Sequence, residues 1–337
     1  MNDNFMVRIW SNCRILFGGL GLLLLFAHSL RAQECYSGSE IDPVAAQSIA
    51  AAARDYFNMS AQGDVAGLKA HAVPDVAASF GGIERAVVTN KEFLAQGQLT
   101  DTRLFLLDAS NSKTTWQRAE FYCGIYNSPD RVGFAIPNLP PGRYAVTIAK
   151  VVGKNPITLT MILEEMGKSS WKLAGYYVRR NSIADHDGQW FLAKAREYKE
   201  KGQAHNAWFY YLTAWDLIAP VEFMSTPQLD KLTDEIQSSR PADMPSSGTV
   251  LELVGGKTVK ISEIAAVLAG GDFDLRVQYE SADAGNSTLA SQENAAVMKA
   301  LLAKYPEFRD GFTALISRAT DSGGHEYGTL TPMKDVK

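Results

Sequence analysis

Cysteine is scarce in this chain. There are three, Cys13, Cys35 and Cys123, and no two stand in a C-x-x-C spacing. That removes support for thiol–disulfide enzyme chemistry. It also leaves too few thiolates for a zinc site without help from His or carboxylates. No run of Lys or Arg occurs and the formal net charge is −4, so nucleic acid is not an expected partner, because such binding rests on neutralising phosphates. Gly-x-Ser-x-Gly, His-Glu-x-x-His and Walker patterns are all missing, which removes the usual hydrolase, metalloprotease and P-loop readings. Gly81-Gly82 and Gly255-Gly256 are isolated pairs, not phosphate-cradling loops. No cofactor is expected. Long apolar runs are also lacking, with one exception at the start.

That exception reads as an export signal. Arg8 and Arg14 precede an uncharged apolar run from Ile15 to Ala27, and small residues follow at Ala27, Ser29 and Ala32. The order is that of a signal peptide, and the apolar core is shorter than a membrane span needs. Residues 1–32 are expected to be removed, by cleavage after Ser29 or Ala32. The segment before Cys35 has no lipobox character. The mature chain is expected to be soluble, without a membrane span, and periplasmic or extracellular. Removing Arg8, Arg14, Arg31 and Asp3 takes the net charge from −4 to near −6, an acidity that serves solubility. Cys13 leaves with the signal. Cys35 and Cys123 are then the expected disulfide of an oxidising compartment, the alternative being a Cys123 simply buried on its strand.

The remaining ~300 residues exceed one small core and suggest several domains. Residues 43–180 form the first expected block. Asp42-Pro43 is an N-cap followed by proline at the first helical position, and Ile49, Ala53, Tyr56 and Phe57 recur at helical spacing. Gly63-Asp64 ends this helix and caps a short second one, and Pro74 restarts the chain. After Thr100 the pattern changes to strands: Arg103 to Asp108; Phe121, Cys123 and Ile125; Tyr144 to Ile148; Ile157 to Leu163; and Trp171 to Val178. The last three are expected to form an antiparallel meander. Residues 187–239 read as a helical hairpin with a third helix through Leu229, Leu232 and Ile236. Residues 240–248 read as a Pro/Ser linker. Residues 249–337 read as a small α+β domain: a hairpin at Gly255-Gly256, a strand near Asp274–Tyr279, a helix through Met298 and Tyr305, a further helix through Phe308 to Ile316, and a last strand at Tyr327–Leu330.

The first block, with Tyr56-Phe57, Gly63-Asp64 and the closing strand Trp171-Lys172-Leu173-Ala174-Gly175-Tyr176-Tyr177, resembles the cone-shaped fold of nuclear transport factor 2 and the ketosteroid-isomerase-like superfamily. The hairpin, with Ala195, Tyr198, Gly202, Ala207, Tyr211, Ala214 and Pro220, resembles one tetratricopeptide unit. The expected fold class is therefore α+β: a cone-like antiparallel sheet with N-terminal helices, a helical hairpin and a small C-terminal α+β domain. The resemblance implies that an acid with apolar walls could sit on the concave sheet face and do general acid–base work. Asp108, at a strand end, and Glu120, on the next strand, are the candidates. A turn-capping role for Asp108, with Asn111, is the competing reading.

Asp185, His186 and Asp187 are the densest polar cluster and the candidate metal ligands. Adjacent side chains diverge, however, and Asp187 fits better as the N-cap of the helix that follows. Trp208, Tyr210 and Trp215, with Phe209 and Tyr211, cover more than one face of the second hairpin helix. One face is expected to fill the hairpin and the others to meet the first block or a partner. Trp208, Tyr210 and Trp215 are the candidate binding residues. The expected function is non-catalytic binding or scaffolding, of a protein or a small apolar ligand. The alternative is an isomerase-like enzyme using a buried acid.

Overall fold

The computed structural model describes residues 34–337 apart from 126, 168 and 254–255. The expected signal peptide and its cleavage site lie outside the described residues. The described chain is α+β.

The N-terminal part begins with β1 (Glu34–Ser37), then α1 (Pro43–Gln62), α2 (Val65–Ala70), α3 (Pro74–Ala78), α4 (Gly81–Thr89) and α5 (Lys91–Ala95). Local chemistry sets these boundaries. Asp42 accepts from the amides of Val44 and Ala45, Pro43 occupies the first turn, and Gly63 closes α1 in the left-handed region at φ 74°. Asp64 caps α2 through the Gly67 amide.

Strands β2 (Gln98–Asp108), β3 (Trp116–Cys123), β4 (Val132–Leu139), β5 (Arg143–Val152), β6 (Ile157–Glu165) and β7 (Trp171–Arg180) follow. Five of the strands form one sheet in the order β1-β2-β5-β6-β7. The β5-β6-β7 meander is antiparallel throughout, as its short turns require. The helices cover one face of this sheet, with Ile49, Tyr56, Leu68, Met161, Trp171 and Tyr176 between them. The other face is covered too. There Phe105, Phe121, Phe134, Tyr144, Val146 and Ile148 pack between the large sheet and the β3-β4 pair. The first block is thus three layers deep.

Residues 34–37, ahead of the first expected block, form a strand paired with β2 in the register Glu34↔Asp108. One sequence expectation is corrected here. Ile125 lies past the end of β3 and is exposed, because Gly124 at φ 87° turns the chain out of the strand.

The chain then makes a two-residue-strand hairpin, β8 (Ser182–Ile183) with β9 (His186–Asp187), and enters α6 (Gly188–Glu200) and α7 (Ala204–Ile218). Strand β10 (Met224–Ser225) adds itself to β4, so the second sheet runs β10-β4-β3. Helix α8 (Pro227–Ser239) packs on α7. Next come β11 (Val250–Glu252), β12 (Thr258–Ala269), β13 (Asp272–Glu280), α9 (Ser287–Lys304), α10 (Phe308–Gly311), β14 (Ala314–Thr320) and β15 (Glu326–Pro332). They make a five-stranded sheet in numerical order, with β13 and β14 parallel around the α9 crossover.

Leu315 and Ile316, expected on a helix, lie on β14 instead. The helix stops at Gly311, and Ala314 to Thr320 alternates buried and half-buried positions in a strand paired on both sides. The aromatics of α7 also pack differently from expectation. Phe209 and Tyr210 meet Phe273, Phe308 and Phe312 of the C-terminal part, not the first block. The hairpin and the C-terminal sheet share one apolar core. Inside the hairpin, Ala195, Ala207, Tyr211 and Ala214 are buried together.

Asp274 on β13 is 1% exposed and accepts the Ala314 amide at 2.9 Å. Burial pushes its pKa up from the ordinary carboxylate value, the amide bond only partly opposing this. The folded state therefore holds the proton more tightly than the unfolded chain. Its favourable contribution is complete below the unfolded pKa and is lost as pH rises through the raised folded one. Asp274→Asn keeps the acceptor oxygen and removes the buried charge. We expect it to be at least as stable as the parent at pH 7, and to lose part of the stability fall above pH 4, in thermal melts taken across pH 4–7. A variant less stable at pH 7 with an unchanged pH slope would contradict this.

Candidate functional site

A cleft of about 270 Å³ opens where the β8-β9 hairpin, the α6-α7 pair and the C-terminal sheet converge. Its walls are Trp190, Phe191, Tyr210, Phe273 and Phe312, with His186, Asp310, Gly311 and Thr313 also lining it. Each wall has a local cause. Ala184 and Asp185 both have positive φ, 48° and 62°, as the two centre positions of a type I′ hairpin turn do. That tight turn brings His186 flat against Trp190, with ring centroids 3.7 Å apart and planes 4° from parallel. Asp187 accepts the Trp190 amide at 2.9 Å and so starts α6 with Trp190 and Phe191 in its first turn.

The rest of the wall is a network of aromatic edges. Phe273 meets Phe191 at 5.0 Å, Tyr210 at 5.2 Å and Phe312 at 5.3 Å, within the range where such pairs add to simple burial. The Tyr210 hydroxyl donates to the Gly311 carbonyl at 2.7 Å. Desolvation pushes its pKa well above the usual tyrosine range, so it stays neutral. Phe191, Tyr210, Phe273 and Phe312 are themselves buried, so the rings are held in place by one another, and His186, Asp310 and Thr313 add polar groups to the lining.

The sequence candidates distribute as follows. Tyr210 and His186 line the cleft. Asp185, His186 and Asp187 do not converge: Asp187 caps a helix, His186 stacks on Trp190, and Asp185 sits in the turn. Among the described residues no group of three His, Cys, Asp or Glu could hold a metal ion. Trp208 and Trp215 lie outside the cleft, half-buried against the shared core, with the Arg240 guanidinium 5.6 Å from the Trp208 ring centroid. If Asp187 acts as a cap alone, Asp187→Ala costs about 1 kcal/mol in urea unfolding. Unchanged stability together with lost zinc binding would contradict the cap.

Asp108 and Glu120 are not brought together. Asp108 ends β2, accepts from the amide and hydroxyl of Ser110, and faces Arg143 at 3.7 Å. Its turn partner is Ser110, not Asn111. Glu120 points outward from β3 beside Arg118, whose hydrogen bond holds its pKa below the usual range. The space between helices and sheet is occupied by Tyr56, whose hydroxyl donates to the Trp171 carbonyl at 2.9 Å, and by Tyr176, whose pKa burial pushes up to about 12. Cys35 and Cys123 form a disulfide with Cα atoms 5.1 Å apart. Among the described residues no helix is long and apolar enough to cross a membrane.

No family model, curated protein or solved structure matches this chain.

Sequence reasoning missed three things. Trp190, Phe191, Phe273 and Phe312 were unremarkable in sequence because they come from three separate segments. Glu164 on β6, raised in pKa by burial and then by Asp75, carried no motif. Nor did the buried polar set of Glu293, Ser281, Tyr279 and Asn294, where Ser281 and the exposed Lys257 both bond the Glu293 carboxylate and Tyr279 donates to Asn294 at 3.0 Å. Their partners satisfy these groups within the fold.

Proposed function

We propose that this is an exported binding protein, acting without catalysis, whose ligand is a small, planar, mostly apolar molecule held in the aromatic cleft. The single observation that carries this reading is the cleft itself: five aromatic rings preformed around about 270 Å³. Three further points support it. The Cys35–Cys123 bond suits an oxidising compartment and accords with the signal-like order of residues 1–32. The space between helices and sheet in the first block is filled by the protein's own tyrosines, so a cone pocket there has less room for a substrate. The two sequence-derived acids each already have hydrogen-bonding partners. The cone-like kinship of residues 43–180 belongs to this proposal as well: helices first, then a long antiparallel sheet.

The test is calorimetric titration with 2-naphthol as probe. Binding to the mature protein is expected, weakened about tenfold by Trp190→Ala, which is worth ~1.4 kcal/mol and matches the loss of one stacking wall. Equal affinity in parent and variant would sink the cleft as the binding site.

A further inference from the structure

The outward face of the β10-β4-β3 sheet holds a second depression, of about 220 Å³. From Arg118 onward strand β3 alternates: Ala119, Phe121 and Cys123 are buried in the core, while Arg118, Glu120 and Tyr122 are exposed on the other face. Tyr122 pairs across the strands with Gly133. Its ring lies over that glycine, since a Cβ there would stand 3.7 Å from two of its carbons. The ring is 60% exposed. Ala135 continues the small-residue floor. The facing wall is Phe223, held edge-on by Tyr177 at 5.4 Å, with Ser225 beside it.

The polar groups at this depression form a fork. Arg118 Nε donates to Glu120 Oε1 at 2.7 Å, and the Tyr122 hydroxyl donates to Glu120 Oε2 at 3.4 Å. On the far side Arg179 bonds Glu222 at 2.9 Å. Arg118 is held by Glu120, and Arg179 is shared between Glu222 and Asp216, so both guanidiniums are already paired and an anionic ligand finds no spare cation. A wholly apolar ligand would desolvate the fork without replacing its water contacts. A ligand with one flat C–H face and a rim of neutral hydroxyls satisfies both halves: the C–H face on the tyrosine ring, the hydroxyls on the guanidinium and carboxylate. The depression is below the ~300 Å³ typical of drug-sized ligands, so it has room for a single ring.

We propose that this groove binds a neutral saccharide, with one pyranose ring on Tyr122 and its hydroxyls on Arg118 and Glu120. The site is separate from the aromatic cleft and does not rest on the cleft's role.

The test is saturation-transfer NMR on the mature protein with maltotriose, cellotriose and tri-N-acetylchitotriose, with the cleft saturated by 2-naphthol throughout. Transfer to the ring C–H protons of at least one trisaccharide is expected. It should fall at least fivefold in Tyr122→Ala and in Glu120→Ala. Thermal melts of both variants should match the parent, because both side chains are exposed, which separates lost binding from lost fold. Silence from all three sugars overturns the proposal. So does transfer that survives Tyr122→Ala or Glu120→Ala.

Discussion

Replacing Cys35 and Cys123 together with alanine should lower stability by about 4–5 kcal/mol, the chain-entropy value for a loop of this length. The bond spans 88 residues of sequence. It also has a specific architectural place. Strand β1 is the edge of the five-stranded sheet and β3 the edge of the three-stranded one, and the bond ties these two edges together. Without it, β1 is held by its four-residue pairing with β2 and by the packing of Tyr36 on the helix–sheet core, and the sandwich core around Phe121 and Phe134 loses its covalent tie on that side. Urea unfolding of residues 33–337, oxidised, reduced and doubly substituted, measures the effect. The reduced parent and the double variant should coincide, well below the oxidised protein. Coincidence of all three midpoints would mean that the sandwich closes without the bond.

Phe273→Ala should cost about 3–5 kcal/mol, the range for deleting a buried phenylalanine. Phe273 sits on β13 and touches Phe191 of α6, Tyr210 of α7 and Phe312 before β14. Removing it strips contacts from the hairpin and the C-terminal sheet at once. Hydrogen exchange should therefore show protection falling together in residues 188–218 and 272–320. A loss below 1 kcal/mol, or a loss confined to one of the two segments, would show that they are stabilised independently.

Local chemistry was legible in the sequence wherever it is local. Asp42-Pro43, Gly63-Asp64 and Asp187 read correctly as caps because a cap depends on residues three or four apart. The meander after Arg143 was legible because its turns are short and apolar residues recur at every second position, as at Ile157, Leu159, Met161 and Leu163. Strand β1 was not, since four residues carry no periodicity and its pairing with β2 is set about seventy residues away. Helix and strand were confused at Leu315-Ile316, where a short apolar run fits either period. The cleft was the least legible feature. Tyr210 drew notice through its aromatic neighbours, but Phe273 and Phe312 approach it only through the parallel β13-β14 crossover, which no local pattern encodes.

The most direct test of the central claim uses fluorine NMR of residues 33–337 labelled with 5-fluorotryptophan. Each resonance is assigned by a Trp→Phe variant, and 2-naphthol is the probe. Trp190 lines the cleft, whereas Trp171 lies between the helices and the large sheet with its indole N–H donating to Ser48 at 3.0 Å. The expected result is a saturable shift of the Trp190 resonance with the Trp171 resonance unmoved. A shift of Trp171 alone would place the ligand in the first block and favour the isomerase-like alternative, and no shift at any tryptophan would remove the aromatic cleft as a binding site.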